Sequence, residues 1–336
     1  MCIVLGKYFP NVGWIGFKQR DRNYPAVVDF KRSFKDGVER FYLVDEKTKY
    51  SEGLNEFGIS ILSAAVMVKK DEDEADAASS RDENYYAPDG IRIRKALLEK
   101  TVEKSLDSLI ESEIPGNTLV FDSKNMYLLE GAFEDYYGPN KTYVYETKKI
   151  KVGETVVRTN HGIWLPWSGY QIDDPEQKES RKSSENRLKV VRKSLKNVSE
   201  PRDLFEICSN TDNKDTQMNP LRLDTGKEKM RTTGQMMVDP KELTLHYRPI
   251  MCKMNIDYNW VDKQIKKINK KDIKLREQQM ENADNIFWEY IKTYPKSRKH
   301  LVFWNKKENC GNDTELGQEL FGYIDNQLEE KSGIIL

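Results

Sequence analysis

Residues 1–9 read MCIVLGKYF and residues 12–18 read VGWIGFK. Both runs are short and apolar, and the turn-prone PNVG at 10–13 separates them, so the pair predicts a hairpin of buried strands. Cys2 opens the first strand. A residue this small after an initiator methionine normally allows the methionine to be removed, which would leave an α-amine and a thiol on one residue. The α-amine titrates at about 7.7–8.0 and the thiol at about 8.5, so near neutrality the amine can take the thiol proton, directly or through water. Such a nucleophile needs no histidine. The plainer alternative is a small hydrophobe in a buried strand, and a retained Met1 would disable the chemistry.

Beyond the hairpin, strands are predicted at RFYLVDE (40–46) and GISILSAAVMV (58–68), with YSEGLNEFG as a turn-rich connection. The acidic run DEDEADAASSRDEN (71–84) has neither periodicity nor apolar mass and is expected to be a surface loop. In GIRIRKALLEKTVEKSLDSLIES (90–112), Ile93, Leu97, Leu98, Val102, Leu106, Leu109 and Ile110 recur at helical spacing, predicting one helix that stops before Pro115 and Gly116. Strands return at NTLVFDS, NMYLLEG, KTYVYETKKIKV and ETVVRTNHG. A charged helix follows at SSENRLKVVRKSLKN, then a hairpin of RTTGQMMVDP and LTLHYRPI around DPKE. Residues 259–293 read as helical. The order predicts an α+β fold with helices layered on antiparallel sheets.

The 336 residues suit one large domain with an appendage, expected at 1–252 and 253–336. Lys plus Arg and Asp plus Glu both total 55, so no net field favours nucleic acid or an anionic membrane. The lysine-rich KQIKKINKKDIK reads as a solvated helix face or a partner contact. No apolar stretch approaches the length of a membrane span and no secretory signal is evident, so a cytoplasmic, soluble protein is expected. Four cysteines lie far apart and there are three histidines, so neither structural zinc nor another metal is expected. The absence of a phosphate-cradling glycine loop argues against nucleotide binding.

The stretch GFKQRDRNYP places Arg20 and Asp21 at the end of the second predicted strand, which a hairpin returns to Cys2. Asp21 is suited to holding the α-ammonium or the thiol, although a surface ion pair with Arg20 is the simpler reading. Trp164 and Trp167, in GIWLPWSGY, suit either an apolar wall for an acyl chain or plain core.

MC at the start, RD nineteen residues on, GLNEFGISI, RTNHG, SSENR and TTGQMMVD resemble, in that order, the N-terminal nucleophile (Ntn) hydrolases of the choloylglycine hydrolase, penicillin V acylase and isopenicillin N acyltransferase group. The likeness runs from Met1 to about Pro249. It implies a four-layer αββα sandwich of two antiparallel sheets, here with a helical C-terminal extension. It implies Cys2 as nucleophile, Asp21 as partner of its amine, Asn160 as a side-chain oxyanion donor and Arg187 as the arginine that organises the site, with Arg181 as rival. Asn55 and Gly58 would form a tight turn into a strand along the site floor.

Two departures stand out. The bile-salt enzymes carry a second oxyanion asparagine after that strand, where the match falls on Ala65, so a backbone N–H would have to substitute. They also carry arginine three residues before the aspartate, where this chain has Lys18; KQRDRNY instead resembles the KNRDRNY form of the acyltransferase-like branch, which implies Arg20 in that role. His161 also resembles that branch, lining the pocket or fixed by its neighbours.

The expected activity is cleavage of a non-peptide C–N amide bond in a small acyl amide through an acyl-thioester, without cofactor, nucleic acid or membrane; a homo-oligomer is left open. Acyl transfer to another amine is the near alternative. A binding or carrier protein on the same scaffold is the other, although Gln19-Arg20-Asp21-Arg22 lacks the Asn and Glu of the NRDE proteins.

Overall fold

The computed structural model describes residues 2–24, 26, 28–45, 47–66, 88–134, 142–175, 177–223, 229–250, 257–293, 303–305, 320 and 322–332. The chain divides into two units, Met1–His246 and Tyr247–Leu336.

In the first unit the opening stretch forms the expected hairpin: β1 (Cys2–Phe9) pairs antiparallel with β2 (Gly13–Arg22), from Phe9 opposite Gly13 to Cys2 opposite Arg20. Gly13 turns the corner at φ +107°, where a Cβ would lie 2.4 Å from the Ser123 carbonyl oxygen. Only glycine fits there. The first sheet runs in the order β10 (Thr155–Arg158), β1, β2, β11 (Arg231–Asp239), β12 (Thr244–Pro249). The second is a seven-stranded antiparallel meander of β3 (Val28–Lys35), β4 (Val38–Asp45), β5 (Ser51–Asn55), β6 (Ser60–Ala64), β7 (Gly116–Phe121), β8 (Met126–Glu134) and β9 (Thr142–Ile150).

Strand alternation splits the side chains of the first sheet between two surroundings. Ile3, Leu5, Ile15 and Phe17 pack under α3 (Lys178–Leu195) and α4 (Asp203–Cys208), against Leu188, Val191, Leu195 and Leu204. On the other face Gly6 and Gly16 lie against Met126, Phe121 and Leu62 of the second sheet. That sheet is covered on its far side by α1 (Pro88–Ala96) and α2 (Val102–Glu111), through Ile93, Leu97, Val102, Leu106 and Leu109. The layers are therefore helix, sheet, sheet, helix, the αββα sandwich expected.

Two expectations change. The helix expected over 90–112 is two helices, because the Asn55 side-chain amide takes the carbonyls of Leu97 (3.0 Å) and Glu99 (2.7 Å) and Thr101 caps the second helix at the Lys104 N–H. A cap side chain competes with helix continuation where it can bond locally. Strands β3 and β5, VDFKRSFK and SEGLN, were not expected, because their polar residues hide the alternation. The acidic 71–84 run lies outside the described residues.

The second unit has a core of its own. Val261 and Ile265 of α5 (Tyr258–Lys267), Ile273 of a 3₁₀ turn, Ala283, Ile286, Phe287 and Tyr290 of α6 (Arg276–Thr293), and Ile324 and Leu328 of α7 (Gly322–Ser332) form one buried cluster. A three-residue strand, β13, spans Phe303–Asn305. Among the described residues no helix is long and apolar enough to cross a membrane.

Candidate active site

Cys2 is buried at the first position of β1 and sits opposite Arg20. The period of two therefore puts Lys18, Arg20 and Arg22 on the face of the sheet that carries Cys2, between the two sheets, and Gln19 and Asp21 on the helix-covered face.

Between the sheets, three cations of β2 and two facing carboxylates form one network. The Lys18 ammonium donates to Glu52 of β5 and to the Ser63 carbonyl of β6. Arg20 donates to Glu52 at 2.6 Å and Asp45 at 3.3 Å, and Arg22 Nε donates to Asp45 at 3.2 Å. Burial alone would push the Cys2 thiol up, but the charges of Lys18 and Arg22 outweigh it and hold the thiol at about 6. Arg22 Nη1 also lies 3.5 Å from Cys2 Sγ. Cys208, equally buried but without a cation among the groups that shift it, is pushed up by burial and then by Asp21.

On the helix-covered face, Asp21 is fully buried and accepts from Arg187 of α3 at 3.0 Å and from the Thr232 hydroxyl at 2.9 Å, with Arg222 Nη1 at 3.5 Å. Thr232 stands beside a register shift in β11, between its pairing with Asp21 and that of Gly234 with Arg20. A bulge of this kind re-aims a side chain next to a site. Burial lowers Arg222 to about 9, helped by Arg187 and opposed by Asp21.

Asn160 joins the two faces. Its Oδ1 accepts from the Cys2 backbone N at 2.6 Å and from Arg187 Nη2 at 3.5 Å, while its Nδ2 donates to the Ala65 carbonyl at 2.6 Å. The amide orientation follows from its neighbours: two donors face the oxygen and one acceptor faces the nitrogen. One N–H of the expected oxyanion donor is thus already bonded to the residue where a second donor was sought.

The surroundings are rigid. His161 is buried between Ser184 Oγ (2.7 Å) and Thr159 Oγ1 (3.1 Å), and burial, with Arg181 and Arg187 nearby, lowers it to about 3, so it is a fixed neutral ring. Glu130 Oε1 accepts from the N–H groups of Ile163, Trp164 and Leu165 at 2.8–2.9 Å, and Arg158 lies over the Trp164 ring at 4.7 Å. Trp167 remains 40% exposed. Arg181 binds Glu185 and the Tyr170 carbonyl, and Arg187 alone of the two rivals binds Asp21.

Of the five residues expected at the site, Cys2, Asn160, Arg187 and Asp21 form one connected set, and Arg20 belongs to the Glu52–Asp45 network. Lys18 was noted only as a departure, with the role passed to Arg20; Arg22, Glu52, Asp45 and Arg222 were not anticipated. Pairing Cys2 with Arg20 in the hairpin and counting by two would have found Lys18 and Arg22; no motif around Arg222 marks it. Among the described residues no group of three or more His, Cys, Asp or Glu side chains is placed to hold a metal ion.

No family model and no curated protein matches the sequence. Two crystal structures of the conjugated bile acid hydrolase from Clostridium perfringens, one with a cysteine-to-alanine and one with an arginine-to-leucine substitution, are similar over 77% of this chain and 93% of theirs. Identity is 13% in both, with TM-scores of 0.45 and 0.44. At that depth the site stands on its own geometry.

Proposed function

We propose that the chain is a cysteine amidohydrolase that cleaves a non-peptide C–N amide bond of a small acyl amide through a thioester on Cys2. The observation that carries this reading is the pairing, at one buried residue, of a thiol lowered to about 6 with a backbone nitrogen bonded to Asn160. A buried cysteine in ordinary packing behaves as Cys208 does and stays protonated.

With Met1 removed, the Cys2 nitrogen becomes an amine that takes the thiol proton. The sulfur attacks the amide carbon, a C–S bond forms and the carbonyl electron pair moves onto oxygen. Collapse restores the carbonyl and breaks the C–N bond, and the departing amine takes the proton from the ammonium. Water then attacks the thioester, giving its proton to the α-amine and releasing carboxylate and thiol. Asp21, Arg187 and Asn160 hold the nitrogen in place throughout. Acyl transfer differs only in the acceptor that meets the thioester.

The test is release of amine from a panel of N-acyl amides, followed by mass spectrometry. Cys2→Ala should lower turnover by at least about 10³-fold; equal turnover in wild type and Cys2→Ala would dismiss the reading.

A further inference from the structure

We propose that Arg22 is a catalytic residue of this chain, the cation that faces the Cys2 sulfur before attack and the oxyanion after it. The inference rests on the amidohydrolase reading above.

Four observations lead there. Arg22 Nη1 is 3.5 Å from Cys2 Sγ. Sulfur and oxyanion would share one carbon in the tetrahedral adduct, so a guanidinium in contact with the first is within reach of the second. Arg22 keeps 14% of its side chain exposed, against 0–1% for Lys18, Arg20, Arg187 and Arg222, so it is the cation of this group that a substrate can meet. Of the other donors, Lys18 is tied to Glu52 and Ser63, and one N–H of Asn160 Nδ2 to Ala65.

The third is orientation. Arg22 Nε is held by Asp45 at 3.2 Å and Nη1 by the Asp21 carbonyl at 2.9 Å, which leaves Nη2 with no hydrogen bond among the described residues. Asp45 is itself fixed by five donors: Arg20, Arg22 and Tyr24 OH (2.9 Å) on one oxygen, and the N–H groups of Lys47 and Thr48 (3.1 Å each) on the other. It is a positioning residue. A guanidinium so anchored costs little reorganisation when charge develops in front of it.

The fourth is charge. Attack moves the negative charge from sulfur to oxygen, collapse passes it to the departing nitrogen, and hydrolysis of the thioester brings it through a second oxyanion back to sulfur, so a fixed cation beside sulfur and oxygen stabilises each in turn without a proton of its own to lose.

The experiment uses the full chain and the variants Arg22→Gln, Arg22→Lys and Asp45→Asn, matched to wild type by circular dichroism. Two readouts are taken: the rate of Cys2 alkylation by iodoacetamide between pH 4.5 and 9, located by peptide mapping, and kcat on the best acyl amide of the panel. The other groups acting on the thiol, Lys18, the N-terminal amine, Asp21, Tyr50, Tyr170 and Arg222, are unchanged in the Arg22 variants, so the difference reports Arg22.

Wild type should show an alkylation midpoint near pH 6. Arg22→Gln should raise it by about 1–3 units and lower kcat by about 100-fold. Arg22→Lys should hold the midpoint closer to wild type and lower kcat less, and Asp45→Asn should lower kcat while alkylation persists. An unchanged midpoint together with an unchanged kcat in Arg22→Gln overturns the proposal. Should Arg22→Gln fail to fold, Arg22→Lys decides: wild-type kcat with a lysine there overturns it, and a lowered kcat upholds it. If wild type releases no amine from any amide, the amidohydrolase reading falls and takes the oxyanion role with it; hydrolysis at the wild-type rate in Arg22→Gln, with the midpoint unmoved, sinks this inference alone.

Discussion

Asp21 carries Arg187 and Arg222 on one buried carboxylate, so its charge has consequences beyond the ion pair. Asp21→Asn would leave two buried guanidinium groups short of their counter-charge, and loss of one partner from such a set costs about 3–5 kcal/mol. Denaturant unfolding should show a loss of that size. Because the Asp21 charge pushes the Cys2 thiol up, the same variant should move Cys2 alkylation to lower pH, whereas Glu185→Gln on the exposed side of α3 should change neither. Cys2 and Asp21 were legible from the chemistry of an N-terminal thiol and the hairpin that returns Asp21 to it, whereas Asn160 and Arg187 came from the resemblance, since a strand-end asparagine and an arginine on a charged helix carry no signal of their own. The hairpin's period of two places Lys18 and Arg22 on the Cys2 face, but their anchoring by Glu52 and Asp45 on the facing sheet was not legible, because no local pattern links those strands to them.

Asn55 shows how one side chain sets two elements. Its Oδ1 accepts from Phe57 and Ile59 in the β5–β6 turn, while its Nδ2 holds the end of α1. Gly58 completes the turn at φ +79°, with the Pro240 carbonyl 2.8 Å from where a Cβ would stand. Asn55→Ala should therefore destabilise the protein by about 2–3 kcal/mol, since buried partners are left unsatisfied. Thr101→Ala, which removes only an exposed cap, should cost about 1 kcal/mol. Thermal or denaturant melts of the two variants check that ranking. The turn could be read from Asn, Gly and the apolar run that follows, but the break in the 90–112 helix could not. That break depends on an asparagine over forty residues away. Strands β1 and β2 were readable from short apolar runs, whereas β3 was not, since KRSFK gives no clean alternation.

Across the first unit, the burial that builds the four layers also fixes how stability responds to pH. Asp45, buried but held down by Arg20 and Arg22, is at about 2, and His161 is at about 3. Unfolded carboxylate and imidazole titrate at about 3.9 and 6.5, so between the folded and unfolded values the unfolded chain binds protons that the folded one refuses. Stability from His161 is thus lost as pH falls from about 6.5 toward 3, and that from Asp45 as pH falls from about 4 toward 2. The Cys2 thiol acts in the same direction between about 8.5 and 6. Denaturant midpoints should fall steadily from pH 8 to pH 4, and His161→Asn should flatten the part between 6.5 and 4. Helices layered on antiparallel sheets were legible from the order of apolar runs and helices, because each layer needs a buried face, while the four-layer αββα order came from the resemblance; the appendage was expected from residue 253, and the second unit begins at Tyr247.

The measurement to make first is the intact mass of the purified protein before and after brief exposure to limiting iodoacetamide at pH 6.5, with the modified cysteine located by peptide mapping. A mass short by one methionine, with Cys2 labelled at least tenfold faster than Cys208, is the expected result. A retained Met1, or a Cys2 that reacts no faster than Cys208, would contradict an activated N-terminal nucleophile and with it the proposed hydrolysis.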